Sequence, residues 1–414
     1  MATSPRALFA LVIITGISLA SLYKFLYPSL EVQSVVPTNM APASSCVQDF
    51  DYGFPIAAVE SQARRLNTHS WENGTLAEAL LELHDPDLSV FSRHAFPADK
   101  IPSASLLENA TALAYAKPHI QLDSETLIDD KWGVSDPAAL GVAAVMLGQI
   151  DSSYLKAAER QKRYLLETAP RYKNGAISHR KEVEELWSDA VHMVPPFLAY
   201  YAVVSNDLDA MKQAVEQCRL YRDVLVVKEE GREKGLWRHI VGPSEKQDLN
   251  FWSTGNGWAA MGMTRVLAAI VHWKPASWLE KEKTELTAWI QGTVDAARRT
   301  DEDETGLLRN YLSDRSWFGE ISGTALLAAT VYRMAVLVPE VFAQKRDGYL
   351  SWADAKREAV TTRVDADGIA KPAVQPLDHL LRDPLMTGSP EGESFVLEMG
   401  AAWRDCVCSG VCPV

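Results

Sequence analysis

The feature that most constrains this chain is the near absence of strand-like alternation. Apolar residues recur at three- and four-residue spacing in segment after segment, the pattern of helices with a buried face. Such segments span 105–116, 138–149, 154–167, 187–204, 208–224, 255–271, 278–299, 319–338 and 349–361. Asp136-Pro137 opens the second, an acidic cap followed by proline at the first helical position. Pro195-Pro196 is expected to kink the fourth segment or restart it. Short strand-like exceptions lie at 174–178 and 236–240, and after Thr362 the helical pattern lapses until a Cys-rich tail. Helices of this length joined by loops predict an all-α fold of helical hairpins packed in a ring. No sequence repeat marks the ring.

The chain has 414 residues, 47% of them hydrophobic and 23% charged, enough apolar material for a large globular core. Its formal net charge is −13, with no basic stripe, which argues against nucleic acid as a partner. The same charge opposes long-range steering of an anionic polymer, so an acidic substrate must meet a local cationic pocket. Twelve Trp and thirteen Tyr serve the core and, in part, as flat platforms for sugar rings.

A short basic start and an apolar run over residues 7–22 read as a signal peptide or an uncleaved signal anchor within 1–27. Residues 28–56, rich in Pro and Ser, read as a linker, and 57–414 as the folded domain with its Cys-rich tail. Either N-terminal reading places the domain in the secretory pathway, secreted or membrane-anchored and lumenal. The sequons Asn73-Gly74-Thr75 and Asn109-Ala110-Thr111 agree with that. Of the five Cys, Cys46, Cys406, Cys408 and Cys412 are expected to pair in an oxidising compartment, with Cys218 left buried in a helix. No metal or organic cofactor is implied, and the chain is expected to act as a monomer.

The loops between the helical segments hold the unusual residues. They include Lys131-Trp132-Gly133, Ser178-His179-Arg180, Trp187-Ser188-Asp189, Trp237-Arg238-His239 and Trp252-Ser253-Thr254-Gly255-Asn256-Gly257-Trp258. A carboxyl group set among aromatic rings has its pKa raised and suits acid catalysis. Asp189 is either such an acid or a cap for the following helix, and Asp136 carries the same two readings. Glu320 is a cap, a structural carboxylate or a pocket residue. His239 can donate to a sugar hydroxyl, and Arg180 can bind a carboxylate in a bidentate fork. There is no Gly-x-Ser-x-Gly elbow, no phosphate-binding loop, no His-Glu-x-x-His and no dinucleotide fingerprint.

In order along 154–334, these pieces resemble glycoside hydrolase families 88 and 105, the unsaturated glucuronyl and rhamnogalacturonyl hydrolases. The strongest pieces are Trp187-Ser188-Asp189 ahead of Met193-Val194-Pro195-Pro196, Trp237-Arg238-His239, the Trp252 to Trp258 run, and Glu320-Ile321-Ser322-Gly323. The resemblance implies a six-hairpin (α/α)6 barrel with Asp189 as general acid and Asp136 as a second carboxylate. It implies His239, Trp252 and Trp258 as pocket residues, beside the loop candidates His179, Arg180, Trp187 and Trp132. The implied substrate is an oligosaccharide ending in a 4,5-unsaturated uronic acid, attacked by protonation and hydration of its enol ether. One position departs from the family: Thr254 stands where an Arg commonly holds the substrate, so either Arg180 or Arg238 takes that part, or the substrate is less acidic, or activity is lost.

Overall fold

The computed structural model describes residues 46, 47 and 49–413, and the segment read as signal peptide or anchor lies outside them. Among the described residues, twelve helices have six residues or more. They are α1 (Ile56–Leu66), α2 (Ser70–His84), α3 (Thr111–Ala116), α4 (Gly141–Leu147), α5 (Ser152–Arg163) and α6 (Ala190–Ser205). They continue with α7 (Leu208–Leu225), α8 (Ser253–His272), α9 (Glu280–Thr300), α10 (Ile321–Leu337), α11 (Tyr349–Thr361) and α12 (Pro390–Cys408). Strands are confined to two short antiparallel pairs, 186–187 with 240–241 and 308–309 with 319–320.

The even-numbered helices pack in cyclic order, α2 on α4, then α6, α8, α10, α12 and back to α2. Each odd-numbered helix from α3 to α11 packs outside the even helix before it, and α1 packs on α12. The result is a ring of six inner helices inside six outer ones, an all-α barrel of hairpins. A helix in the inner ring has neighbours on every side, so it loses the polar face that makes an outer helix legible. The sequence pattern still finds α4, α6, α8 and α10, whose residues are mostly apolar, but misses α2 and α12. Both are buried along almost their whole length, and both carry charges inward: Glu78 and Glu82 on α2, Glu398 and Arg404 on α12.

Those charges are matched. Arg265 of α8 reaches Glu78 at 3.2 Å, Glu82 at 2.6 Å and Glu398 at 3.1 Å. Arg333 of α10 bridges Glu82 and Asp405, each at 2.6 Å. One network thus ties four inner helices together. Burial still pushes the Glu78 carboxyl up to about 7, and that of Glu393, also on α12, up to about 8. In the unfolded chain both ionise near pH ~4.3. Below that value the proton is held in both states and their contribution to stability is whole. As the pH rises toward 7–8 the unfolded state sheds protons the folded state retains, and the contribution is lost. Urea unfolding is expected to show stability falling from pH about 5 to about 8; a rise across that window would refute the assignment.

Several expectations change. Pro195 and Pro196 lie inside α6, which continues through them as one helix. Their missing donors sit where α6 meets α8 closely: a Cβ at Gly262 would overlap the Val191 carbonyl. The expected linker ends early, because Phe50 packs on Trp403 at 4.8 Å between ring centroids and Arg404 donates to the Tyr52 hydroxyl. Asn73 is buried in α2 and accepts a hydrogen bond from Tyr115, so the folded chain has no room for a glycan there, while Asn109 is exposed. Cys46 pairs with Cys408 and Cys406 with Cys412, and Cys218 is buried and unpaired in α7. No helix of the described residues is long and apolar enough to cross a membrane.

Candidate active site

The loops that lead into the inner helices meet at one end of the ring. Ser253, opening α8, donates to Glu320, which precedes α10. Trp71 of α2 donates to Glu391 of α12 at 3.0 Å. Helix N-termini carry partial positive charge and free N–H groups, which is what allows so many carboxyls to gather here. Glu320 uses its oxygens on the backbone N–H groups of Ser322 and Gly323, so of its three readings the cap holds. Asp189 precedes α6 in the same way but makes no capping hydrogen bond.

Two stretches of loop zip together to build one wall. Val134 N–H donates to the His179 carbonyl at 2.8 Å, and Gly133 pairs with Arg180. This brings Trp132, Asp136, His179 and Arg180 side by side. Glycine at 133 leaves room for the Asp136 carboxylate, which a Cβ there would displace. His179 stacks on Trp187 at 4.6 Å, hydrogen-bonds Ser135 and lies 3.8 Å from Asp136. Burial, helped by the Arg180 charge, drives the His179 imidazole down to about 3, so it is neutral. The Arg180 guanidinium lies over the rings of Trp132 and Trp187 at 5.8 and 5.7 Å, with no carboxylate at ion-pair distance among the described residues. Trp132 is 44% exposed, which makes it the outermost of these rings.

Asp189 faces a second wall. Ser188 Oγ donates to its Oδ2 at 3.2 Å, and His239 Nε2 lies 3.6 Å from the same oxygen. Burial raises the Asp189 pKa, only partly opposed by His239. Asp136 is raised well above the usual carboxylate range, first by burial, then by the charges of Asp130 and Asp189. His239 is enclosed by Trp252 at 4.5 Å, His379 at 4.3 Å and Trp187 at 5.5 Å. Trp258 does not join them. The resemblance makes it a pocket aromatic, but its ring is fully buried six residues further along α8, against His192 at 4.6 Å and Phe395 at 4.7 Å. Thr254 is fully buried as well, and it offers a hydroxyl, not a cation.

Three residues here escape sequence reasoning. Asp248 lies behind His239, His379 comes from the loop before α12, and Glu391 sits at the start of α12. Glu391 is buried, with Oε2 unpartnered, and its pKa is raised well above the usual range by burial and then by Asp189. His239, Asp248 and His379 bring three donor atoms within 4.8 Å of one another, the one grouping with metal-ligand spacing among the described residues. The Asp248 oxygen concerned already accepts hydrogen bonds from His239 and Tyr311, so the hydrogen-bond network accounts for the cluster.

Residues 123–371, more than half the chain, match the model of Glycosyl Hydrolase Family 88. The chain belongs to that family. The convergence of Asp189, Asp136 and His239 at the barrel mouth lies within the matched span. A curated relative, the unsaturated rhamnogalacturonyl hydrolase YesR of Bacillus subtilis strain 168, is 24% identical over 226 residues. That alignment covers 53% of this chain and 59% of YesR, so the chain matches little more than half of that relative's length. Among solved structures, a possible member of the GH105 family from Salmonella enterica aligns with TM-score 0.64 at 15% identity, over 89% of this chain and 96% of its own. A family 88 glycosyl hydrolase from Bacteroides vulgatus aligns at 0.59 and 15% identity, over 88% of this chain and 100% of its own. An α-1,6-mannanase from Salegentibacter aligns at 0.57 and 13%, over 86% of this chain and 100% of its own. The barrel is therefore shared by enzymes with different substrates, and substrate choice rests on the mouth.

Proposed function

We propose that this protein removes a terminal 4,5-unsaturated uronic acid from oligosaccharides made by a polysaccharide lyase, those of pectin and rhamnogalacturonan first. The observation that carries this reading is Asp189: a buried carboxyl at the mouth, free of capping bonds, its pKa raised by burial, and facing a histidine. Its O–H bond breaks as a C–H bond forms at C4 of the enol ether. Water then bonds to C5 and returns one proton to the Asp189 carboxylate. The hemiketal opens and releases the neighbouring sugar. Asp136 lies beside the same space as a second carboxyl, its pKa raised well above the usual range by burial, which favours the form able to donate to a sugar hydroxyl.

Arg180 supports the acidic substrate. It is a cation without an ion-pair partner among the described residues, laid over two Trp faces at the mouth, and so takes the part that Thr254 cannot play. The two disulfides support a domain that works outside the cytosol, in the secretory pathway or beyond it.

The test is optical. Turnover of unsaturated oligosaccharides destroys the conjugated enol ether, so its ultraviolet absorbance falls on adding enzyme. Unchanged absorbance across rhamnogalacturonan-, homogalacturonan- and glycosaminoglycan-derived substrates would reject the proposal. A second reading, hydrolysis of a saturated glycoside, draws on the Asp136 and Asp189 pair, since ordinary glycosidases use two carboxyls. Reducing sugar released from saturated oligosaccharides, with no absorbance change on unsaturated ones, would favour it.

A further inference from the structure

Asp248 is the most heavily bonded carboxylate near the mouth, and none of its partners is a substrate group. Its Oδ1 accepts from the Asn250 main chain at 3.1 Å and from the Asn250 side chain at 2.9 Å. Its Oδ2 accepts from the Tyr311 hydroxyl and lies 3.1 Å from His239 Nδ1. A carboxylate surrounded by donors has no proton to give, so the hydrogen between Asp248 and His239 belongs to Nδ1. That leaves Nε2 on the opposite edge of the ring. It is buried, has no hydrogen-bond partner among the described residues, and lies 3.6 Å from Asp189 Oδ2.

The backbone holds this line rigidly. Ser188 N–H donates to the His239 carbonyl at 2.9 Å, and His239 N–H donates to the Asn250 carbonyl at 3.0 Å. Ile240 and Asp248 exchange both main-chain hydrogen bonds, at 2.8 and 3.0 Å. The segments carrying Asp189, His239 and Asp248 are thus laced together. Trp252 and His379 pack against the His239 ring, at 4.5 and 4.3 Å between centroids. His379 itself is neutral, driven down to about 3 by burial first, and adds no competing charge to the line.

We propose that Asp248 is a positioning residue: acting through His239, it reloads the catalytic acid after each proton transfer. Once Asp189 has given its proton to C4, the attacking water loses a proton to His239 Nε2. The Nε2–H bond then breaks as the Asp189 O–H bond forms again. The Asp248 charge steadies the imidazolium between the two steps and fixes the ring in the tautomer that offers Nε2 as acceptor. The inference rests on the reading of Asp189 as the acid. It refines the return of the water proton by giving it a carrier.

The experiment has a spectroscopic arm that does not depend on activity. In 15N-histidine-labelled enzyme at neutral pH, His239, assigned by comparison with a His239→Gln sample, is expected as the Nδ1–H tautomer. In Asp248→Asn it is expected to lose that preference. A wild-type His239 carrying its proton on Nε2 alone would overturn the proposal. The kinetic arm uses whichever glycoside the enzyme turns over. Asp248→Asn is expected to lower kcat by about 100-fold or more with KM within about threefold, as when a histidine's carboxylate partner is lost. Tyr311→Phe, which leaves the carboxylate in place, is expected to cost about 3- to 10-fold in kcat. A folded Asp248→Asn enzyme with near-normal kcat, or with its loss in KM alone, would also overturn it. Near-normal turnover by Asp189→Asn would instead sink the reading of Asp189, while the tautomer still decides the part played by Asp248.

Discussion

Replacing Asp189 by Asn is expected to lower kcat at least ~100-fold, the usual scale for removing a general acid. The amide has the shape of the carboxyl and keeps the contact with Ser188, so the fold has no reason to change. What it lacks is a proton that can leave. Burial already favours a neutral group at this position, so the substitution removes chemistry without removing a charge that the mouth depends on. Stability in urea should therefore equal or slightly exceed that of wild type while turnover collapses. The dependence on pH follows from the same group. An acid works only while protonated, so the rate falls as pH rises through its pKa, and burial places that limb above the ordinary Asp range. Folded Asp189→Asn enzyme with turnover near that of wild type would end its candidacy.

Arg265→Met is expected to have the largest effect on stability, a loss of about 3–5 kcal/mol, the typical result of breaking a buried ion pair from one side. Arg265 is the shared partner of Glu78, Glu82 and Glu398, all buried and drawn from α2 and α12. Without the guanidinium these carboxyls face one another in low dielectric. They then either bind protons or force the inner ring apart. The double variant Arg265→Met, Glu398→Gln should recover part of the loss, since one uncompensated acid has gone. Urea unfolding of both variants and their parents measures it. A change below ~1 kcal/mol for Arg265→Met would mean that water reaches the network and screens it.

Five outer helices can be read because they have two environments, though α1 falls where the sequence suggests linker and the start of the domain. Four inner helices, α4, α6, α8 and α10, can be read from their apolar runs. The pattern at 278–299 predicts α9 closely, since one face meets the inner ring and the other meets water. The inner helices have a single environment. In α2 and α12 the acids sit inside and are balanced by arginines from α8 and α10, far away in sequence, so no local pattern marks them as core. The mouth divides in a similar way. Asp189, His239, His179 and Arg180 stand in loops crowded with Trp and Gly, where charged groups among aromatics already suggest chemistry. Asp248 and His379 are ordinary residues in unpatterned loops. What brings them to the site is the pairing of 240 with 248 and the tether from Asn310 to the His379 carbonyl. Glu391 follows Ser389-Pro390 and reads as the acidic first turn of a helix, which it also is.

The bond between Cys46 and Cys408 spans a sequence separation of 362 residues and encloses all six inner helices. In covalent terms the barrel is a macrocycle. A protease that nicks any loop between those cysteines opens the circle without releasing a fragment, and the cut chain keeps its mass until it is reduced. The two new ends remain tethered through the rest of the ring, so re-closing the barrel around a nick is a unimolecular event. The loops at the mouth can therefore be long, exposed and easily cut without each cut costing the molecule a piece of itself.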